Sequence, residues 1–176
     1  MNDAQRMIDA EVRDLGRQRG IDPATDRTEV RRLAEAVVTA YEQRSLVSAL
    51  PPIADPEAIV QEVTDAVAGF GPLQRDLDAP AVEEIWINEP SRVFVAREGR
   101  TELTATILTE AEVRDLVERM LRSSGRRLDL SSPVVDAMLA DGSRLHVAIP
   151  DVTRRHWAVN VRKHVVRAAD LDDLVG

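Results

Sequence analysis

The chain contains no cysteine, which excludes disulfides and every metal site built on thiolates. That absence fits a reducing compartment. Aromatic residues make up only 3% of the chain, too few to grip a flat cofactor or to interleave with nucleic-acid bases. No apolar run approaches the roughly 20 residues that cross a bilayer. The N-terminal stretch from Met1 to Arg13 is charged and amphipathic, without the apolar centre of a signal peptide. The expected location is therefore cytoplasmic. Lysine is nearly missing too: of 23 basic residues, only Lys163 is a lysine. Coding bias accounts for such a skew, although arginine is also the side chain suited to bidentate phosphate contacts.

Catalytic signatures are missing as well. There is no G-x-x-x-x-G-K phosphate loop, and no glycine precedes a lysine. Neither G-x-S-x-G nor H-E-x-x-H occurs. His146, His156 and His164 have no recognised metal-ligand spacing, so no metal site is expected, and His146 and His164 read as ordinary strand residues. Glu83 and Glu84 are adjacent in a strand and point to opposite faces, so they cannot share a substrate. They read as solvated or edge charges.

The rest of the composition is that of a globular protein, with 44% hydrophobic and 31% charged residues. The net charge of -8 argues against general nucleic-acid affinity. The charge is uneven. Residues 1–80 hold 15 acidic and 9 basic side chains, whereas residues 119–167 hold 4 acidic and 10 basic. An acidic chain with a basic stretch implies one surface turned toward an anion.

Helical periodicity marks residues 2–19, with Met7, Ile8, Val12 and Leu15 as the apolar stripe, ended by Gly20 and Pro23. A second helix is predicted over 28–46. Asp55 and Pro56 open a third, which Gly71-Pro72 stops. The stretch 47–56, with three prolines, reads as the linker. After Gly71 the pattern turns to strands: 84–88, then 92–96 and 101–108 around the turn Glu98-Gly99. Thr109 and Glu112 form a capping box for a helix to about Ser123, with Gly125 as its C-terminal cap. Two more strands, 134–140 and 143–149, flank Asp141-Gly142, a two-residue hairpin signal. A last strand covers 157–164, and a helix begins at 171–175. The reading is α+β: a helical N-terminal segment, then a mixed domain with an antiparallel sheet.

Alternation along the last two strands separates two faces. Leu145, Val147, Val159 and Val161 fall on apolar faces, while Arg144, His146, Asn160 and Arg162 fall on polar ones. Periodicity alone allows Arg144 and Arg162 to share a polar surface, and equally allows them to be two solvated arginines.

Several short motifs occur in order. They are Gly69-Phe-Gly-Pro-Leu73, Val82-Glu-Glu-Ile-Trp-Ile-Asn88, Arg92-Val-Phe-Val95 and Gly125-Arg-Arg-Leu-Asp129. Ser132-Pro-Val-Val-Asp-Ala137, Asp141-Gly-Ser-Arg-Leu145, Ala148-Ile-Pro150 and Val159-Asn-Val-Arg-Lys163 follow. Over residues 69–175 this series resembles the N-terminal domain of CpaF-type secretion ATPases. Those are the motors of type II and type IV secretion and of tight-adherence pilus assembly. The resemblance implies a helical segment (1–70), a PAS-like domain (71–166), and the start of a linker (167–176) to a RecA-like ATPase domain. It implies homo-hexamers peripheral to the inner face of the cytoplasmic membrane, working with a membrane-embedded secretion platform protein and not with nucleic acid. ATP and Mg²⁺ belong to the full-length protein, and no cofactor is expected for this chain. By motif, Arg144, Arg162 and, more weakly, Arg127 match the arginines that reach the nucleotide's phosphates. No residue here is expected to be catalytic, and the chain by itself is expected not to turn over ATP. The alternative is a free-standing PAS-like sensor or partner-binding module.

Overall fold

A computed structural model describes residues 2–122 and 124–164. The helix expected at 171–175 and the linker at 167–176 lie outside the described residues. The chain divides into two compact units, with the boundary between Gln74 and Arg75.

The first unit contains α1 (Asp3–Gln18), α2 (Arg27–Ser45), α3 (Pro56–Ala68) and a 3-10 turn at Gly71–Leu73. α1 and α3 open on side chains that satisfy free backbone amides, whereas Asp26 before α2 makes no such bond. Asn2 Oδ1 accepts from the Gln5 amide at 2.8 Å. Gly20 ends α1 at φ 67°, donating to the Arg17 carbonyl, while Ile21 donates back to the Gly16 carbonyl. Asp55 caps α3 through the Ala58 amide at 3.0 Å, with Pro56 in the first turn. The three helices bury one apolar core that includes Ile8, Val12, Leu33, Val37, Tyr41, Ile59, Val60 and Val63. Met7 does not join it and is 45% exposed. The buried stripe of α1 is narrow, passing through Ala4, Ile8 and Val12, and Met7 falls beside it.

The proline-bearing stretch 47–56 is not the boundary between units. It joins α2 to α3 within the helical unit, and Leu50 and Ile53 pack against that unit's core. The Tyr41 hydroxyl donates to the Pro51 carbonyl at 3.0 Å, which ties the prolines to α2. Prolines break helices, but they do not by themselves separate cores.

A short helix, α4 (Gln74–Asp78), leads into β1 (Val82–Glu89), β2 (Arg92–Arg97) and β3 (Arg100–Leu103). Next come α5 (Glu110–Arg122), β4 (Val134–Met138), β5 (Arg144–Ala148), α6 (Pro150–Thr153) and β6 (Ala158–Arg162). Among the described residues six strands form one sheet, in the order β3-β2-β1-β6-β5-β4. Every neighbouring pair is antiparallel. The fold is α+β, with the three long helices of the first unit preceding the sheet. One sheet face is buried: Ile85, Ile87, Val93, Val95, Leu145, Val147, Val159 and Val161 are all nearly inaccessible. α5 buries one stripe of its own, Val113, Leu116, Val117, Met120 and Leu121.

Thr109 and Glu112 cap α5 reciprocally. The Thr109 amide donates to Glu112 Oε2 at 2.7 Å, and the Glu112 amide to Thr109 Oγ1 at 3.2 Å. Two turns differ in kind. Glu98 (φ 51°) and Gly99 (φ 74°) make a two-residue reversal, with Arg97 opposite Arg100. At Asp141-Gly142 the loop is three residues long, not two. The Leu139 amide donates to the Ser143 carbonyl, the Gly142 amide donates to the Leu139 carbonyl, and Gly142 holds φ 84°. Asp141 accepts from the Ser143 amide and hydroxyl, both at 2.9 Å, which sets the wider turn. The strand expected over 101–108 ends at Leu103, beyond which residues 104–109 lead into α5. No helix among the described residues is long and apolar enough to cross a membrane.

Candidate functional site

The second sheet face is largely polar over the four strands β1, β6, β5 and β4. Antiparallel pairing fixes which side chains stand side by side there. In one row, Glu84 lies opposite Arg162, Arg162 opposite Arg144, and Arg144 opposite Met138. In the next, Trp86 lies opposite Asn160, Asn160 opposite His146, and His146 opposite Asp136. All of these residues except Trp86, with Ser124 and Arg126 from beyond α5, line an open cleft of about 820 Å³.

The cleft's charges are only partly matched. His146 Nδ1 lies 2.8 Å from Asp136 Oδ1. Asn160 Nδ2 donates to Glu84 Oε1 at 2.7 Å, and Arg162 Nη2 stands 3.6 Å from Glu84 Oε2. Among the described residues Arg144 and Arg126 have no carboxylate within ion-pair distance. Two guanidinium groups opposite each other on paired strands repel. A face built this way presents guanidinium donors that one anion can reach from both strands. Planar forked donors favour phosphate or carboxylate oxygens.

A smaller groove of about 170 Å³ continues from the same arginines around the β4–β5 turn. Gly142, Arg144, Arg162, Lys163 and His164 line it, without a carboxylate. Burial pushes the Lys163 ammonium below its usual range, against the pull of Asp141, Asp78 and Asp76. Its Nζ donates to the Ala79 carbonyl at 2.5 Å and its amide to the Glu83 carbonyl at 2.9 Å. Lys163 therefore ties the end of β6 to the chain just before β1. A third cleft of about 570 Å³ lies where Asn88, Arg92, Phe94, Arg155 and His156 gather, with Arg92 over the Phe94 ring at 5.3 Å.

Alternation in the sequence brings Arg144 and Arg162 to one polar surface only if β5 and β6 pair in the matching register. They do. Arg127 is exposed and does not line the cleft, whereas its neighbour Arg126 does. The loop carrying both is shaped by Asp129, whose Oδ1 accepts from the Ser131 and Ser132 amides at 2.8 and 3.0 Å. The Ser131 hydroxyl and those amides hold the Asp129 carboxyl below the usual carboxylate range. Glu84 is neither solvated nor at an edge. It sits on a central strand with its side chain 18% exposed. His146 is a cleft residue, not merely a strand position. Among the described residues no three His, Asp or Glu side chains gather as metal ligands.

No protein-family profile matches the chain. It is similar to an uncharacterised protein of Methanocaldococcus jannaschii, at 28% identity over 112 residues, covering 62% of this chain and 15% of that protein. Among solved structures it is similar to the VirB11 ATPase of the Brucella suis type IV secretion system, solved in complex with sulphate. That match has 28% identity and a TM-score of 0.53 over 58% of this chain and 31% of that one. The chain thus spans about 15% of the curated relative and 31% of the solved one. The similarity is to a secretion-motor ATPase.

Proposed function

We propose that the chain is the N-terminal, PAS-like part of a secretion or pilus-assembly motor ATPase, whose arginine face closes over nucleotide held by a RecA-like domain. One observation carries this reading: Arg144 and Arg162 stand in direct cross-strand register on an open polar face with too few carboxylates to neutralise them. The similarity to VirB11, an ATPase of a type IV secretion system, supports the motor-ATPase reading. Arg126, Arg144 and Arg162 suit the terminal phosphates. ATP and Mg²⁺ would be held by the ATPase domain, and the magnesium would neutralise phosphate charge there. The role of this chain is orientation and domain closure: an arginine–phosphate bridge forms when nucleotide is bound and is lost when the phosphate leaves. Hexameric assembly at a membrane platform belongs to the same proposal.

The test uses Arg144→Ala and Arg162→Ala. In the chain itself, titration with inorganic phosphate followed by amide shifts should show each variant binding at least about tenfold more weakly. In a protein that also carries the ATPase domain, each should lower turnover by about 10³-fold if the arginine acts as a finger. The melting temperature of Arg144→Ala should stay level or rise, because the substitution relieves the repulsion between opposed guanidinium groups, whereas that of Arg162→Ala should fall slightly, because it also removes the cation beside Glu84. Undiminished phosphate binding and turnover in both variants would overturn the proposal.

A further inference from the structure

The row that holds the two arginines contains one more charge. Glu84 lies directly opposite Arg162 and, one strand further, in line with Arg144. Its carboxylate is fixed by the Asn160 amide at 2.7 Å and is 18% exposed, whereas the Arg162 side chain 3.6 Å away is 69% exposed. The carboxylate is thus the anchored partner and the guanidinium the one that reaches solvent. At 3.6 Å the pair is attracted without a formed hydrogen bond. A tetrahedral anion approaching Arg162 therefore meets a carboxylate already in place on the same guanidinium.

We propose that Glu84 is a built-in competitor. It holds Arg162 while no external anion is bound, and an incoming phosphate must displace it. This rests on the anion-binding reading of the cleft and gives that site a selection rule. A weakly charged anion does not outbid a resident carboxylate for a guanidinium, whereas a phosphate dianion that Arg144 also contacts does. The device leaves Arg162 neutralised when the face is empty, and so limits the cross-strand repulsion with Arg144. Glu84 acts through Arg162 and is a positioning residue.

The experiment is a double-mutant cycle in the whole chain, with inorganic phosphate as the probe and amide shifts as the readout. Glu84→Gln keeps an oxygen for the Asn160 amide and removes the charge. It should tighten phosphate binding about two- to fivefold, the range expected for an ion pair with one partner exposed. In the Arg162→Ala background the same change should leave affinity unaltered. Glu84→Asp, which keeps the charge, should retain an affinity close to that of the native chain. A purely structural role would lower the melting temperature equally with and without Arg162 and would not couple to phosphate. Equal phosphate affinity in the native chain and Glu84→Gln overturns this inference while the anion site stands. No saturable binding by any of the variants overturns the site reading, and the inference falls with it.

Discussion

Asp129 shows how one side chain organises a segment that regular structure does not. Its carboxylate gathers two amides and a hydroxyl within the turn that follows Arg126 and Arg127. Those bonds favour the charged form and lower its pKa. A carboxyl depressed in the fold contributes order above its unfolded value, near 3.9, and loses it as pH falls through the lower folded value. The Ser131 and Ser132 amides should therefore keep their shifts at neutral pH and move only below about pH 4. In Asp129→Asn, whose amide oxygen still accepts but does not titrate, both signals should stay flat over that range. Movement of the same size in Asp129→Asn would assign the transition to another group.

The β2–β3 reversal is an element whose sequence is imperfectly matched to its geometry. Both central residues have positive φ, a conformation that glycine and asparagine adopt readily and glutamate does not. Glu98→Asn should raise the stability of the sheet unit by up to about 1 kcal/mol, read as a rise in the denaturation midpoint with an unchanged slope. A lower midpoint would mean that the Glu98 side chain makes a compensating contact. Elements set by local chemistry were legible in the sequence: the Asp55–Pro56 start, the Thr109–Glu112 box and the Glu98-Gly99 turn each depend on residues a few positions apart. Elements set by distant partners were not. Nothing near Glu84 announces that β1 lies between β2 and β6, and that placement alone turns an apparent edge charge into a cleft residue. That Arg126 lines the cleft and Arg127 does not was illegible for a similar reason, because irregular backbone has no period from which a facing direction can be read. The prolines at 51 and 52 mark a linker inside the helical unit and not one between units, since a break in helix and a break between cores look alike in sequence.

At the scale of the molecule, the division after Gln74 assigns α3 to the same core as α1 and α2. Residues 1–74 on their own should unfold cooperatively, while residues 1–50 should not. The shorter piece lacks Ile59, Val60 and Val63, whose burial supplies about 1.5–3 kcal/mol each, a loss comparable to the whole stability of a small domain. Circular dichroism of both fragments during heating decides it, and a sharp transition in residues 1–50 would refute the assignment. The sheet unit has a different dependence on chain length. Its first strand and its last lie side by side at the centre, so Glu84 and Arg162 meet across 78 positions of sequence (162 − 84). Closing so long a loop is slow compared with forming the β1–β2–β3 and β4–β5 hairpins. During synthesis those two pieces have nothing to join them until β6 emerges. Until then Ile85 and Ile87 on one side and Leu145 and Val147 on the other lack the strand that completes their layer. The anion face and the apolar layer of the sheet unit are therefore finished in one late event: a nascent chain stalled before residue 158 has its helical core but neither of these.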